Sequence, residues 1–309
     1  MKIQVALPGN NHLPGSPEWM TRLQAPDHQR IAATVDGLGF YAITTSEHFA
    51  MPYEEVPRLG PYWTHALTVL AFVAGATERV RLDASVLVLP YHHPLALAKA
   101  LSTLDVLSGG RLDVSVGVGH AVREFECLGV SFPERGAIAD EMLDALKELW
   151  SAAEPVYRGK FFTIEGLAFE PKPVQRPRPP IYVGGNSKAA LRRAARHEGW
   201  QPNPTDFTLE EIPPLFDYIR LQPDYRGKED SFELCWLGFP DQDAAQLAFA
   251  GASGGQLSAH RDRLLEGFSV LAGTGVTRTP IPLPRTASAG EFLDYLRWFS
   301  AEVSPRLPG

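Results

Sequence analysis

Three ionisable side chains follow the ends of predicted strands. Glu47 and His48 follow the strand predicted over Phe40–Thr45, and His120 follows the one over Arg111–Val118. An imidazole with an ordinary pKa of about 6.5 can exchange a proton near neutral pH. We therefore predict His48 as the main catalytic residue, the alternative being a hydrogen bond to its own loop. We expect Glu47 either to orient His48 or to cap the next segment. We expect His120 either to contact the substrate or to lie exposed at the start of a helix.

Glycines end two of the predicted strands. Gly117 and Gly119 end one of them, and Gly184 and Gly185 end a later one. Glycine presents bare backbone, against which a flat ligand can lie. The strand ends lack the paired carboxylates of a glycosidase and the His-x-His of a metal hydrolase, so we predict no metal site. This set of residues favours a large planar cofactor.

Asn186 and Ser187 lead directly into a predicted helix. Free N–H groups and the positive end of the helix dipole make such a start an anion site, which suits a cofactor phosphate. The alternative is an ordinary helix cap made by either side chain.

Aromatic residues follow the second predicted strand. Tyr53, Tyr62 and Trp63 are predicted to line or cover a substrate pocket, although packing aromatics would give the same pattern. Further along, Arg123 and Glu124 are predicted to pair at a helix start.

Strand and helix patterns alternate along the whole chain, and this alternation must position the groups named above. The helices expected at Pro61–Ala76 and Pro94–Leu107 are examples. Eight strand-and-helix units in 309 residues predict a (β/α)₈ barrel in one domain, 1–309, whose active site lies at the carboxyl ends of the strands. The alternative is an open, doubly wound sheet, which the absence of a GxGxxG motif after the first strand disfavours. The strands are predicted over residues 3–7, 40–45, 80–89, 111–118, 180–186, 200–202, 232–237 and 275–282.

One segment interrupts the alternation between the fourth and fifth strands. Residues 154–180 are predicted as an excursion, with a β-hairpin around Glu165 and Gly166 followed by a proline-rich extended stretch. The paired hairpin segments are expected at 161–164 and 167–169.

Composition narrows the function classes. The formal net charge is −7 and no basic tract occurs, which argues against nucleic acid as a partner. Cys127 and Cys235 lie far apart in sequence, so neither a zinc site nor a disulfide framework is expected. Without a signal peptide or a long apolar run, the expectation is a cytoplasmic protein with no membrane span.

Several motifs together resemble the bacterial-luciferase-like flavin and deazaflavin oxidoreductases. They are Leu104–Leu112 (LDVLSGGRL), Val116–Gly119 (VGVG), Val86–Leu95 (VLVLPYHHPL) and Pro180–Ala195 (PIYVGGNSKAALRRAA). The resemblance is strong over residues 1–200 and loose beyond, and it is closest to the probable F420-dependent subgroup. The pair Glu47-His48 instead resembles flavin monooxygenase members, since deazaflavin members often carry Asp-His there.

The resemblance implies a barrel that holds a flavin-type ring across its strand ends. It places a non-prolyl cis peptide at Ser85-Val86, behind the ring. Gly117 and Gly119 would lie beside the ring. The phosphate end would lie near Gly184, Gly185, Asn186 and Ser187.

The resemblance also implies the reaction class. The first candidate is hydride transfer between F420 and a small organic substrate. The alternative is an FMN-dependent monooxygenase fed by a separate flavin reductase, and a further alternative is a non-catalytic flavin-binding homologue. A barrel hydrolase without a redox cofactor is a rival from another class. A homodimer and a flavin or F420 reductase partner are the expected associations.

Overall fold

The computed structural model describes residues 1–241, 248–249 and 251–308. Its strands are β1 (Lys2–Ala6), β2 (Ala42–Thr45), β3 (Arg81–Ala84), β4 (Leu87–Val88), β5 (Leu112–Gly117), β6 (Tyr157–Arg158), β7 (Thr163–Ile164), β8 (Ile181–Gly184), β9 (Gly199–Gln201), β10 (Glu233–Leu234) and β11 (Arg278–Pro280). All except β6 and β7 belong to one parallel sheet, in which β4 continues the line of β3.

The parallel sheet curves into a nearly closed barrel. Its eight strands follow the order β10-β9-β8-β5-β3-β2-β1-β11. A bridge between Cys235 and Arg278 joins the two end strands, with the Trp236 N–H donating to the Arg278 carbonyl at 2.9 Å. The predicted (β/α)₈ barrel is confirmed, and the open sheet is excluded because its two edges pair with each other.

The helices cover the outside of the barrel. They are α1 (Glu18–Thr21), α2 (Ala25–Gly37), α3 (Val56–Leu59), α4 (Ala66–Ala74), α5 (Pro94–Leu107), α6 (Val122–Leu128), α7 (Arg135–Ser151), α8 (Lys188–Ala195), α9 (Ile212–Arg220), α10 (Gly254–Gly273) and α11 (Ala289–Glu302). In the part of the chain that the structure describes, no helix is both long and apolar enough to cross a membrane.

Helix α5 shows how local sequence sets these elements. His93 caps its start by accepting from the Leu95 N–H, and Pro94 occupies the first turn, where no N–H partner is lost. Gly109 and Gly110 then turn the chain into β5 with φ of 66° and 85°, a region that costs glycine little. The predicted bounds of α5 are therefore confirmed.

The predicted helix Pro61–Ala76 begins five residues too early. Observed α4 starts at Ala66, because the preceding segment is bonded to the loop after β1 instead. The His12 N–H donates to the Tyr62 carbonyl at 3.1 Å, and the Thr64 N–H donates to the Asn10 carbonyl at 2.9 Å.

The excursion before β8 is present, but the predicted pairing of segments 161–164 and 167–169 in its hairpin is wrong. The strands that pair are β6 and β7, so the turn lies at residues 159–162 rather than around Glu165 and Gly166. The Glu141 carboxylate of α7 fixes this turn by accepting from the N–H groups of Lys160 and Phe161, at 2.7 and 2.9 Å. Contact with a distant helix therefore overrides the local turn signal.

Candidate functional site

A cleft of about 360 Å³ opens at the carboxyl ends of the barrel strands. It extends from the end of β2 across β3, β5, β8 and β9 to the chain after β10. Most of the predicted catalytic and cofactor residues line it. The lining residues are Ser46, Glu47, His48, Trp63, Ser85, Val86, Val88, Tyr91, Gly117, Val118, Gly119, His120, Gly184, Gly185, Gln201, Pro202, Asn203 and Leu237.

Val86 forms a ledge in this cleft. The Ser85-Val86 peptide bond is cis, as the resemblance implied, and it interrupts the strand predicted over residues 80–89. A Cβ at Gly117 would lie 3.1 Å from one Val86 methyl, and a Cβ at Gly184 would lie 3.3 Å from the other. These two glycines therefore make room for the Val86 side chain, a role that bare strand ends do not reveal in the sequence.

Gly119 is required by packing below the cleft. Its φ is 77°, and a Cβ there would lie 2.6 Å from a Val88 methyl and 2.9 Å from the Phe125 ring. Gly185 also has a positive φ, 110°. Both positions favour glycine on backbone grounds alone.

Ser85 meets a residue that the sequence did not single out. Gln201 is buried at the end of β9, and its Nε2 donates to Ser85 Oγ at 2.9 Å. Gln201 ends the sixth barrel strand, two residues after Gly199, and this strand-end position could have identified it as a site residue from the sequence.

His48 is held from below by a carboxylate. Its Nδ1 lies 2.7 Å from Glu124 Oε2, which leaves Nε2 as the ring nitrogen available for another partner. Glu124 also accepts from the N–H groups of Phe49 and Ala50 and from the Tyr91 hydroxyl, at 2.9, 3.2 and 3.0 Å. Glu124 therefore fixes both the orientation of the imidazole and the loop that carries it.

The charge on Glu124 is well compensated. Burial alone would raise the pKa of Glu124, but the hydrogen bonds from His48, Ala50 and Tyr91 outweigh burial and lower it. Burial, followed by the nearby Glu124 charge, raises the pKa of the Tyr91 phenol, which therefore remains a donor. The predicted pairing of Arg123 with Glu124 is wrong, since Arg123 bonds Glu126 at 2.6 Å.

Glu47 is directed away from His48. Its carboxylate is buried, accepts from the Val88 N–H at 2.8 Å and lies 3.0 Å from His92 Nε2. These contacts fix the backbone of β4 after the cis peptide. Glu47 supports the site rather than orienting His48, and the residue that orients it is Glu124.

His120 and Trp63 lie on either side of His48. The Trp63 ring meets it edge-on at 4.6 Å between centroids, and the His120 ring at 5.7 Å. Loss of water contact in the cleft, followed by the neighbouring His48, lowers the pKa of His120. Three rings thus converge on one side of the cleft.

Four other predicted site residues lie outside the cleft lining. Tyr53 is 94% exposed, and Tyr62 stacks on His12 at 3.9 Å. Ser187 caps α8 by accepting from the Ala190 N–H, and Asn186 exchanges hydrogen bonds with the backbone of Asn203. The helix-cap alternative is therefore confirmed for Ser187.

The family model for luciferase-like monooxygenases matches residues 1–235 of this chain. The chain belongs to the luciferase-like monooxygenase family.

Two curated relatives of this luciferase-like chain have stated activities. The FMNH₂-dependent dimethylsulfone monooxygenase of Pseudomonas putida is 35% identical over 138 residues, covering 44% of this chain and 38% of that protein. The oxygenase component of the flavin-dependent trigonelline monooxygenase of Acinetobacter baylyi is 31% identical over 212 residues, covering 67% of this chain and 57% of that protein.

A solved structure extends the similarity over the whole barrel. The F420-dependent tetrahydromethanopterin reductase of Methanopyrus kandleri superposes with a TM-score of 0.73 and covers 99% of both chains, at 15% identity. At that identity the likeness shows the fold alone. This fold is therefore shared with an F420-dependent reductase, and two sequence relatives are described as flavin-dependent monooxygenases.

The cleft of this luciferase-like chain fits a flat, flavin-type ring. The Val86 ledge is apolar, and the two glycines beside it carry no side chain that could cover it. Ser85 and Gln201 add hydrogen-bonding groups to the lining, and His48 lines the same cleft.

Proposed function

We propose that this protein is a flavin-dependent monooxygenase that takes reduced FMN from a separate reductase and oxygenates a small organic molecule. When bound, reduced FMN supplies the two electrons with which O₂ is split, so that one oxygen atom enters the substrate and the other leaves as water. The observation that carries the proposal is that the Glu124-held His48 lines the same cleft as the Val86 ledge.

Different residues would hold the ring and the phosphate end of FMN. Ser85, Val86, Gly117 and Gly119 would hold the ring. The phosphate end would lie near Gly184, Gly185, Asn186 and Ser187, where α8 begins with Lys188.

His48 is the residue that would transfer a proton to or from the substrate or the ring. Its Nδ1 is occupied by Glu124, so Nε2 is the atom that exchanges a proton with the substrate or the ring. Trp63 and His120 flank the substrate.

From the sequence we expected F420 first, and three observations now favour FMN. Two of the relatives, the dimethylsulfone and trigonelline monooxygenases, are described as FMNH₂-dependent and flavin-dependent. The Glu47-His48 pair resembles flavin monooxygenases. Among the described lining residues, no lysine or arginine is present to bind the additional carboxylates of the F420 tail.

The experiment is a cofactor competition. Purified protein is titrated anaerobically with reduced FMN and with reduced F420, using calorimetry and fluorescence, and each complex is then mixed with O₂. We expect FMN to bind at least ~10-fold more tightly and its reoxidation to be altered by the protein. Tight F420 binding that FMN cannot displace would support hydride transfer instead, and no binding of either would overturn both.

Reoxidation distinguishes an enzyme from a carrier. If bound reduced FMN reacts with O₂ as free FMN does, and His48→Ala changes nothing, the chain is a non-catalytic flavin-binding homologue. The homodimer stays a prediction, which sedimentation of the same samples tests.

A further inference from the structure

The cleft contains no fixed cation among the residues that the structure describes. Its ionisable lining residues are Glu47, His48, Tyr91 and His120. The sequence over 242–247 and at 250, outside the described residues, contains no lysine or arginine. An anionic group buried in the cleft away from the start of α8 would therefore have no permanent countercharge.

The cation that acts on the cleft from nearby is already paired. Arg58 of α3 contributes to the lowered pKa of His120, after loss of water contact and the charge of His48. Its guanidinium bonds the Glu55 carboxylate through Nε and Nη2, at 3.0 and 2.7 Å. Because both partners are well exposed, this pair offers little attraction to an anion in the cleft.

The two carboxylates beneath the cleft are equally unable to receive a cation. Glu47 and Glu124 have side chains that are 1% and 3% exposed. Both oxygens of each already accept from protein donors. A substrate ammonium group would lose its hydration without reaching either of them.

Apolar surface fills the rest of the substrate side. Trp63, Val118 and Leu237 line the cleft, and Phe49 and Tyr62 are 41% and 47% exposed on the neighbouring loop. Against this surface, His48 Nε2 and the His120 ring are polar groups near Trp63.

We propose that the substrate is an uncharged, mainly apolar organic molecule whose one polar group, a carbonyl or hydroxyl oxygen, hydrogen-bonds to His48 Nε2. Carboxylates, sulfonates and ammonium compounds of the same size are excluded. This inference rests on the proposed function, because a ring on the Val86 ledge leaves the side formed by His48, Trp63 and His120 for the substrate.

The test uses three probes of matched size that differ in charge at pH 7.5. They are cyclohexanone, cyclohexanecarboxylate and cyclohexylammonium. Their binding is measured by ligand-observed NMR on the protein alone and by the change in the visible flavin spectrum on FMN-loaded protein. We expect cyclohexanone to bind at least ~10-fold more tightly than either ion. An ion that binds as well as cyclohexanone overturns the proposal.

A charge variant assigns the binding to the cleft. Leu237→Lys, which places a cation in the lining, is expected to improve carboxylate binding at least ~10-fold and to weaken ketone binding. Leu221→Lys, at an 81% exposed position outside the lining, is the matched control and is expected to leave the three affinities unchanged. Equal responses of the two variants, or none, would show that the probes bind elsewhere and would overturn the assignment.

The two proposals fail separately. Failure of FMN binding with selective ketone binding by the protein alone overturns the proposed function but not the charge selectivity. Tight FMN binding without charge selectivity overturns only the substrate class.

Discussion

Buried carboxylates occur at two levels of this barrel. Under the cleft, Glu124 holds His48 and accepts from two backbone N–H groups and a phenol. Inside the barrel, Asp83 and Asp113 share the fully buried Arg278, at 3.1 and 3.2 Å. The Glu124 contacts include a ring that lines the cleft, whereas the interior contacts continue to Arg81 and Glu233, which lie outside the cleft lining.

The pKa values of Glu124 and Asp83 move in opposite directions. Donors outweigh burial at Glu124 and lower its pKa. Burial, only partly offset by Arg278 and reinforced by Asp113, raises the pKa of Asp83 to about 6. Arg278, which is shared by Asp83, Asp113 and Glu233, does not balance the full burial of Asp83, whereas dedicated donors at a slightly less buried position do so for Glu124. The difference separates a carboxylate that stays charged and holds the His48 ring from one that ties strands together.

Removal of the shared cation should have the largest effect. Arg278→Met leaves Asp83 and Asp113 buried without their common partner, so we expect a loss of about 3–5 kcal/mol in unfolding free energy, measured by urea denaturation. The exposed control Arg297→Met removes an i,i+3 pair with Asp294 and should cost less than ~1 kcal/mol. A loss at Arg278 as small as the control's would mean that the interior network contributes nothing specific.

Removal of the ring held by Glu124 should lower turnover and leave FMN binding intact. His48→Ala is expected to lower turnover by about 10²-fold, because the proton-exchanging group is lost, while FMN affinity stays within a few-fold. His93→Ala, at the exposed cap of α5, is the matched control and should leave turnover unchanged. Steady-state kinetics on a substrate of the proposed class measure both. Unchanged turnover in His48→Ala would show that the carboxylate under the cleft does not serve catalysis through His48.

The barrel and the strand ends could be predicted because their signals are local. Each signal lies within a few residues of sequence. Examples are the strand and helix periods, the Gly109-Gly110 turn and Pro94 in the first turn of α5. The barrel rule then assigned His48 and His120 to the same end without any knowledge of contacts.

The partners of those residues could not be predicted, because they come from distant segments. Glu124 meets His48 across 76 positions, and the sequence suggested Arg123 as its partner instead. Gln201 reaches Ser85 across 116 positions. Spacing indicates which residues face one end of a barrel, but not which neighbour on that rim each one meets.

The raised pKa of Asp83 has a testable consequence for stability. The folded protein holds a proton that the unfolded chain releases between pH 4 and about 6, so this group makes stability fall as pH rises through that window. The contribution amounts to about 2 kcal/mol between pH 4 and 6. In Asp83→Asn that fall is expected to disappear, whereas Asp294→Asn at the exposed control position should follow the wild type. Chemical denaturation at several pH values measures the slopes. If the dependence of unfolding free energy on pH is unchanged in Asp83→Asn, a group other than Asp83 titrates in this window.

The smallest predicted effect tests the lowered pKa of Glu124. Tyr91→Phe deletes one donor to its carboxylate and should cost about 1.5 kcal/mol at pH 7, since a hydrogen bond to a buried charge is lost. A depressed carboxyl pKa stabilises the fold above the ordinary value and is lost as pH falls through the folded one. The cost of Tyr91→Phe should therefore shrink between pH 7 and a pH well below 4.5, the ordinary pKa of this carboxyl, opposite in sign to the trend from Asp83. Tyr53→Phe, at a 94% exposed position, controls for loss of a hydroxyl. An equal cost at both pH values would show that Tyr91 only packs against the site, and that the donors of His48, Phe49 and Ala50 alone keep Glu124 charged.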